Sequence, residues 1–215
     1  MPKRAKRSLE NQWYDLMQVH DRDVDLEENK IFLFGREEPA AAAGESLPVE
    51  TGIDFTIANR FLRNLHLCEK HNPQEPLQIE MKSCGGYWEE GMAIYDAIKR
   101  YPAPVAINCH THARSMTSVI FQAADYRFLS EHGSVMIHTG TKEFSGTAKE
   151  FQAEAEWACL ANQTMFQILA SRMVDSTQMT YTEARDWLIS MTNSKENVYL
   201  NPENAVRFGL ADGTF

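Results

Sequence analysis

Three short segments between positions 83 and 138 carry residue types that could do chemistry together. Gly85-Gly86 follows an apolar run, and paired glycines let backbone N–H groups face a substrate without a Cβ in the way. Ser115 stands at a strand-to-helix junction, where free N–H groups and the helix dipole favour a developing anion. His138 ends another apolar run, where a general base would reach the rim of a cleft.

Each segment also has an ordinary structural explanation. A Gly-Gly pair can be a plain turn, a serine can simply cap a helix, and a single histidine is often structural. His110 and His112 would share one side of an extended chain, and two imidazoles can hold a metal. Zinc usually takes three or four protein ligands, and the spacing marks no third one. The sequence therefore predicts no metal site.

Apolar patterning predicts the elements that must position these residues. Runs bounded by turn residues predict strands over 30–35, 77–81, 105–109, 126–129 and 134–138. Helical spacing predicts helices over 53–72, 89–100, 115–124, 147–173 and 181–189, and a small helix with Asn201 as cap, Pro202 first and Gly209 as its end. Residues 37–51 show no period and are predicted to be a surface loop. Alternating strands and helices predict βαβ units, a largely parallel sheet and an α/β layered fold.

Composition limits the classes of function. At 215 residues and 24.5 kDa the chain suits one domain, predicted over 30–215 after an N-terminal arm at 1–29. The net charge of −9 argues against nucleic acid as a main partner, and no run reaches the ~18 apolar residues of a membrane span. Four scattered cysteines without a CxxC pair fit a reducing cytosol. The basic start, 1–7, is followed by polar residues rather than by an apolar signal segment, so a cytoplasmic location is predicted.

In combination these segments resemble the proteolytic subunit of the Clp protease, the ClpP family. The resemblance spans about residues 30–212, with its four motifs in the family's order. The matching segments are 83–96 with its Gly-Gly and Gly-Met-Ala-Ile-Tyr-Asp, Ala113–Met116, Val135–His138 and Phe208–Asp212.

The resemblance implies the fold of the ClpP/crotonase superfamily, with repeated βαβ turns and a protruding handle of helix and strand. It implies that Ser115 is the nucleophile and that His138 takes its proton and returns it to the leaving amine. The backbone N–H groups of Gly86 and Met116 would form the oxyanion hole. An extended peptide, paired with strand edges beside Gly85 and after His138, would be hydrolysed through an acyl-enzyme, with no cofactor.

The third member of the implied triad departs from the family. Counting back without gaps from Phe208–Asp212 places Asn197 where the family has an aspartate. An amide can accept from the imidazole N–H and orient the ring, but it cannot stabilise the imidazolium by charge. Asp186 and Glu196 are nearby acids that could substitute, so three candidates for the residue that orients His138 stay open.

The resemblance also implies partners. The family assembles as rings, so a heptamer or a face-to-face double heptamer is predicted, acting on polypeptide substrates. The family docks an AAA+ unfoldase on tyrosines of the strand before Gly-Gly, where this chain has Gln78 and Glu80. Docking of a standard unfoldase is therefore predicted to be weak, while the helix over 147–173 predicts that self-assembly persists.

Four functions compete at this stage. The leading hypothesis is an ATP-dependent, self-compartmentalised serine endopeptidase of the ClpP type. A phage prohead maturation protease of the same superfamily would fit the unfamiliar N-terminus and the absent docking tyrosines. A noncatalytic ring subunit would fit Asn197 but not an intact Ser115 and His138. An acyl-CoA hydratase or isomerase shares the fold and its oxyanion hole but has no use for this serine and histidine.

Overall fold

A computed structural model describes residues 16–17, 19–35, 37–38, 49–141 and 143–215, with the backbone alone for 37, 38 and 49. Ten strands lie within these ranges: β1 (Val24–Asp25), β2 (Lys30–Phe34), β3 (Glu37–Glu38), β4 (Val49–Glu50), β5 (Leu77–Ser83), β6 (Val105–Arg114), β7 (Tyr126–Leu129), β8 (Ser134–Ile137), β9 (Val198–Leu200) and β10 (Gly213–Thr214). The helices are α1 (Phe55–His71), α2 (Trp88–Lys99), α3 (Met116–Phe121), α4 (Ala148–Ser176), α5 (Tyr181–Ser194) and α6 (Pro202–Arg207).

Eight of these strands form one mostly parallel sheet in the order β1-β2-β5-β6-β7-β10, and β8 pairs with β6 and β9. The long strand β6 pairs with a different strand in each half of its length. Ala106–Cys109 pair with β7, and His112–Arg114 pair with β8. Both pairings are parallel, whereas β1 and β9 run antiparallel to their neighbours. The predicted α/β fold with a largely parallel sheet is confirmed.

Alternation and helical spacing explain why these elements form where they do. In β5, Leu77, Ile79 and Met81 are at most 1% exposed and face the core. In α1, the apolar residues predicted to point inward are buried: Ile57, Phe61, Leu65 and Cys68. The helix begins at Asp54, whose carboxylate accepts from the N–H groups of Thr56 and Ile57, each at 2.8 Å.

Helix α4 behaves differently along its length. Thr147 and Glu150 form a capping box at its start. Its second half is anchored by buried Met165, Leu169 and Met173, the stripe that the sequence predicts. Its first half instead leaves large apolar side chains in solvent, with Phe151 61% exposed. The helix therefore protrudes from the sheet as a handle.

The structure differs from the predicted elements in several places. Residues 37–38 and 49–50, predicted as loop, pair antiparallel as β3 and β4, while the intervening 39–48 lie outside the described residues. Strand β6 continues five residues past its predicted end at Cys109. The short strand β9 has no counterpart in the predicted elements, and Val24–Asp25 of the predicted arm pair with β2. Residues 139–141 and 143–147 follow His138, where the resemblance implies that an extended peptide pairs, and they carry no strand.

Candidate active site

Three parallel strands bring the candidate residues to one edge of the sheet. β5 leads into Gly85-Gly86, β6 leads into Ser115, and β8 leads into His138. The carboxyl ends of parallel strands meet at a common edge, where α/β proteins usually place their sites. The N–H of Ser115 donates to Met136 O at 2.8 Å, which joins the ends of β6 and β8 directly.

Ser115 is half-buried and faces His138 rather than capping the helix that follows it. Its backbone has φ 51° and ψ −125°. A positive φ is unfavourable for a residue with a Cβ, so the surrounding structure must hold the serine in this conformation. It occupies the position before α3, but its side chain makes no capping hydrogen bond. Its Oγ instead lies 2.7 Å from Nε2 of His138. The capping explanation for this serine therefore does not describe the structure.

His138 is half-buried, and the carboxylate of Glu196 is close enough for its charge to act on the ring. Burial is the largest effect and lowers the pKa of the imidazole, while the charge of Glu196 and a hydrogen bond with the Asn197 side chain act in the opposite direction. The net result is a pKa below the ordinary value for histidine. At neutral pH the ring is therefore mostly unprotonated and able to accept a proton.

Strand β9 explains how Asn197 reaches His138. In its antiparallel pairing with β8, Ile137 lies opposite Val198 and Met136 opposite Tyr199. One further step in this register places Asn197 opposite His138, and directly opposed residues have Cβ atoms ~4.5–5.5 Å apart. Asp186 lies elsewhere, on α5, with its carboxylate 65% exposed and 3.9 Å from Arg185. Of the three candidates, the structure brings Asn197 and Glu196 to the ring.

Gly85 and Gly86 occupy conformations that other residues rarely adopt, with φ 111° and 141°. A Cβ on Gly85 would lie 2.6 Å from Cβ of Ser115, so the backbone passes directly against the serine. Gly86 is bridged to Ile53, which accepts from the N–H of Tyr87 and donates to the carbonyl of Gly85. Among the described residues, the N–H groups of Gly86 and Met116 make no backbone hydrogen bond, which leaves both available to an anion.

A cavity of about 460 Å³ opens beside Ser115 and His138. Gly86 and Met116 line it as well, so the four predicted site residues around the nucleophile border one space. The remaining lining comes from the start of α2, the segment after His138 and the handle helix: Tyr87, Trp88, Glu89, Val119, Gly140, Thr141, Glu143, Trp157, Ala158, Ala161, Asn162 and Met165. Its size suits a side chain of a bound peptide rather than water alone.

The two histidines of β6 do not form a metal site. His110 Nε2 lies 2.6 Å from Glu80, and His112 Nε2 lies 3.0 Å from Glu50, so each ring has its own carboxylate. Within the residues that the structure describes, no group of three or more metal-ligating side chains occurs. Gln78 also donates to Glu80, which places this predicted docking position inside a hydrogen-bonded cluster.

Comparison with known proteins places the chain in a family. The Clp protease family model matches residues 43–215 of the chain. The chain belongs to the Clp protease family. A relative from Deinococcus radiodurans, named as the ATP-dependent Clp protease proteolytic subunit, is 27% identical over 166 residues, which cover 76% of each of the two chains. The predicted family is confirmed, and with it the assignment as a hydrolase of the protease class.

The sequence analysis did not predict which residues form the walls of the cavity. Trp157 and Glu89 are 68 residues apart, and no local pattern in the sequence connects them.

Across the described residues, none of the helices has the length and apolar character that crossing a bilayer requires.

Proposed function

We propose that this chain is a serine endopeptidase that hydrolyses peptide bonds through an acyl-enzyme on Ser115. The observation that carries the proposal is the 2.7 Å contact between Ser115 Oγ and His138 Nε2 at the edge of a peptide-sized cavity. A nucleophile and a base within hydrogen-bond reach are the minimum requirement for this chemistry.

The first half-reaction uses the unprotonated ring. As Ser115 Oγ attacks the scissile carbonyl carbon, His138 Nε2 accepts the hydroxyl proton. The lowered pKa of His138 keeps this acceptor free at neutral pH. When the tetrahedral intermediate collapses, the C–N bond breaks and the same proton passes to the leaving amine. Water then attacks the acyl-enzyme by the reverse sequence and releases the acid.

The developing oxyanion has two donors in reach. The N–H groups of Gly86 and Met116 border the cavity on the side of Ser115, and neither has a partner among the described residues. Removing one such donor costs ~10²–10³ in rate in other enzymes. The positive φ of Gly86 sets the direction of its N–H, so the glycine is needed for the donor itself.

Asn197 completes the site as an orienting residue. Its amide oxygen accepts from the imidazole because Nε2 already faces Ser115, which leaves the other ring nitrogen as the donor. This bond sets the tautomer that serves as a base, as in proteases that use an amide in the third position. It does so without adding a negative charge.

Self-assembly into a ring, as a heptamer or double heptamer, is part of the proposal. It is supported by the handle, where Phe151 and Leu160 are 61% and 53% exposed on one protruding helix. Large apolar side chains grouped on one element usually mark a contact surface. Analytical sedimentation at micromolar concentration tests this, and a 24.5 kDa species alone would refute it.

The residues of this chain support an energy-dependent partner less than any other part of the proposal. The relative's name describes an ATP-dependent protease subunit. In this chain Glu80 is 7% exposed and accepts from Gln78 and Asn108, so an apolar anchor would meet satisfied polar groups there. We expect a standard Clp AAA+ unfoldase to stimulate degradation of a tagged protein less than about twofold. Robust stimulation would show that docking uses other residues.

The proposal includes a cytoplasmic site of action. It is supported by four free thiols, the state that a reducing compartment maintains.

Two alternative functions keep some support. The noncatalytic subunit hypothesis is supported by the uncharged Asn197 beside His138. The prohead protease hypothesis uses the same Ser115 chemistry and differs in substrate.

A fluorophosphonate probe tests the chemistry directly. We expect covalent labelling of Ser115, identified by peptide mapping, and loss of both labelling and peptidase activity in Ser115→Ala. Ser171→Ala is the matched control, because this handle serine only donates to Gln167 O and lies outside the cavity. An unlabelled, inactive wild-type protein would favour the noncatalytic subunit, and hydrolysis retained by Ser115→Ala would end the assignment.

A further inference from the structure

Three neighbouring strands carry a row of side chains beside the candidate catalytic residues. Arg114, at the end of β6, lies opposite Met136 of β8, and Met136 lies opposite Tyr199 of β9. Side chains opposed across a sheet lie on one face, and residues two apart along a strand share that face. The row of Arg114, Met136 and Tyr199 therefore lies on the face that carries His138 and Asn197, two residues further back along β8.

This row is in reach of the part of a peptide that leaves first. In peptide hydrolysis the base returns its proton to the leaving amine, so the leaving part of the peptide passes beside His138. Arg114 and Tyr199 do not border the cavity next to Ser115, so they face a different part of an extended peptide. Two residues of extended chain span about 6.6 Å, which matches the two-residue step from His138 to the row. The row is therefore accessible to the first two residues after the scissile bond.

Arg114 brings to this row a positive charge that the described residues do not neutralise. Within the described ranges, no carboxylate lies at salt-bridge distance from its guanidinium. Its Nε is buried without a hydrogen-bond partner. Glu50, an acid on β4, instead lies 3.0 Å from Nε2 of His112. A guanidinium pairs best with a planar carboxylate or phosphate, so Arg114 is a donor without its preferred acceptor.

The guanidinium is held in place before a ligand binds. Its Cζ lies 5.8 Å from the ring centroid of Tyr199, within the distance at which a cation is attracted to an aromatic face. Tyr199 is 58% exposed, so the row is open to solvent on this side. On the side of β5, burial raises the pKa of the Cys84 thiol, and the charge of Arg114 opposes that shift. Arg114 therefore lies between the segment that leads into the paired glycines and strand β9.

We propose that Arg114 is a specificity-determining residue that binds a substrate carboxylate within two residues after the scissile bond, with Tyr199 as the residue that positions it. This inference rests on the proposed peptidase function. The carboxylate belongs either to an Asp or Glu side chain or to the free carboxyl terminus of a short leaving group, and the guanidinium pairs with both in the same way. A lysine at the same place would meet a like charge and be disfavoured.

The experiment uses full-length protein and internally quenched, amidated peptides that carry Glu, Gln or Lys at the first or second residue after the scissile bond. We expect the wild type to cleave the better Glu peptide with a kcat/KM about tenfold above that of its Gln counterpart, with Lys lowest. The Glu-to-Gln ratio should fall at high salt, because screening weakens the pairing. Arg114→Gln should bring this ratio to about one, chiefly by raising KM for the Glu peptide. Arg63→Gln is the matched control, since it removes the same charge from an exposed position on α1 and should keep the ratio.

A second pair of peptides distinguishes the two sources of the carboxylate. Both have two neutral residues after the scissile bond, and they end in either a free acid or an amide, with cleavage followed by chromatography. A Glu-to-Gln preference in the amidated series assigns a side chain, whereas a preference for the free acid without a Glu effect assigns the chain terminus. Either preference supports the inference if Arg114→Gln removes it.

Tyr199 is tested through its effect on Arg114. Tyr199→Phe keeps an aromatic face and should keep the preference for the carboxylate, whereas Tyr199→Ala should lower it about threefold. The double variant with Arg114→Gln should show no lower preference than Arg114→Gln alone, because both changes act on one contact. If Arg114→Gln does not fold, Arg114→Lys replaces it. Lysine keeps the charge without the planar fork, so the preference should fall but stay above one.

The outcomes separate the two proposals. If Ser115 is labelled by the fluorophosphonate but the wild type distinguishes neither Glu from Gln nor acid from amide, the specificity inference is wrong and the peptidase stands. The same holds if Arg114→Gln leaves a preference unchanged. If the wild type neither reacts with the probe nor cleaves any of the peptides, both proposals fail. Equal shifts in Arg63→Gln and Arg114→Gln would show an effect of net charge alone and would also overturn the inference.

Discussion

His110 and His138 each present Nε2 to a side chain at hydrogen-bond distance, but their partners differ in charge. His110 lies 2.6 Å from the carboxylate of Glu80, and His138 lies 2.7 Å from the hydroxyl of Ser115. His110 precedes Ser115 by five residues in the chain, about 16 Å along an extended strand. The buried carboxylate therefore accompanies the histidine that lies away from the nucleophile.

The difference bears on how the protein keeps His138 able to accept a proton. An imidazole can accept the serine proton only while the ring is unprotonated, so a lowered pKa keeps the base available at neutral pH. Burial lowers the pKa of His138, and neither the charge of Glu196 nor the hydrogen bond with the Asn197 side chain reverses that shift. We infer that the histidine beside Ser115 is kept as a neutral base, whereas His110 serves to hold β5 and β6 together through Glu80.

The largest expected effect separates the two histidines. His138→Ala should lower kcat/KM by about 10⁴-fold or more, because the nucleophile loses its proton acceptor. His110→Ala should change it by less than about threefold, since the ring contacts Glu80, Phe34 and Phe215 rather than the cavity. Steady-state kinetics on one fluorogenic peptide measures both. Comparable losses in the two variants would contradict the distinction.

The second effect concerns the backbone beside the serine. Gly85→Ala should lower kcat by about 10²-fold, because φ is 111° and the new Cβ would lie 2.6 Å from Ser115 Cβ. Gly213→Ala is the matched control, since its Cβ would make only an ordinary 3.5 Å contact with Phe128. Kinetics and thermal unfolding are measured together. A fully active Gly85→Ala would mean that the serine does not depend on this close approach.

The third effect concerns a negative charge beside His138, in place of the neutral amide of Asn197. Asn197→Asp should raise kcat at neutral pH, by well under ~10⁴-fold, because a carboxylate stabilises protonated His138 in the transition state. The added negative charge should also raise the pKa of His138, so the acid limb of the kcat/KM profile should move to higher pH. A pH profile of both proteins measures the shift.

Two neighbouring acids provide the control for this prediction. Glu196→Gln removes a charge that raises the pKa of His138, so its acid limb should move to lower pH with kcat little changed. Asp186→Asn should do nothing measurable, because this carboxylate lies on α5 beside Arg185. A crippled Asp186→Asn or Glu196→Gln, with Asn197→Asp unaltered, would reassign the orienting residue.

The smallest effect on activity is expected at Glu80. Glu80→Ala leaves donors of Gln78, Asn108 and His110 without their acceptor, which should lower the free energy of unfolding by about 1–3 kcal/mol. Because this cluster does not border the cavity, kcat of the folded protein should change less than about twofold. Urea unfolding measures the first quantity and kinetics the second. If Glu80→Ala lost much of its kcat while keeping full stability, the cluster around His110 would have to affect the reaction at Ser115 and His138.

Local pattern predicted most of the helices and the strands that lead to the candidate residues, whereas the choice of these residues as a site rested on their combined resemblance to the Clp protease family. Gly85-Gly86, Ser115 and His138 each follow an apolar strand, and strand ends on a parallel sheet meet at one edge wherever they fall in the chain. Helical spacing and caps likewise predict α1 and the inner half of α4, since their signals lie within a few turns.

Tertiary structure alone decided which side chains face one another. Asn197 reaches His138 through the register of β9, a three-residue strand too short to show a pattern of its own. The bond between Trp157 and Glu89 depends on where the handle crosses α2. Such contacts join positions far apart in the chain, and their geometry follows from packing of whole elements rather than from the residues that precede or follow them.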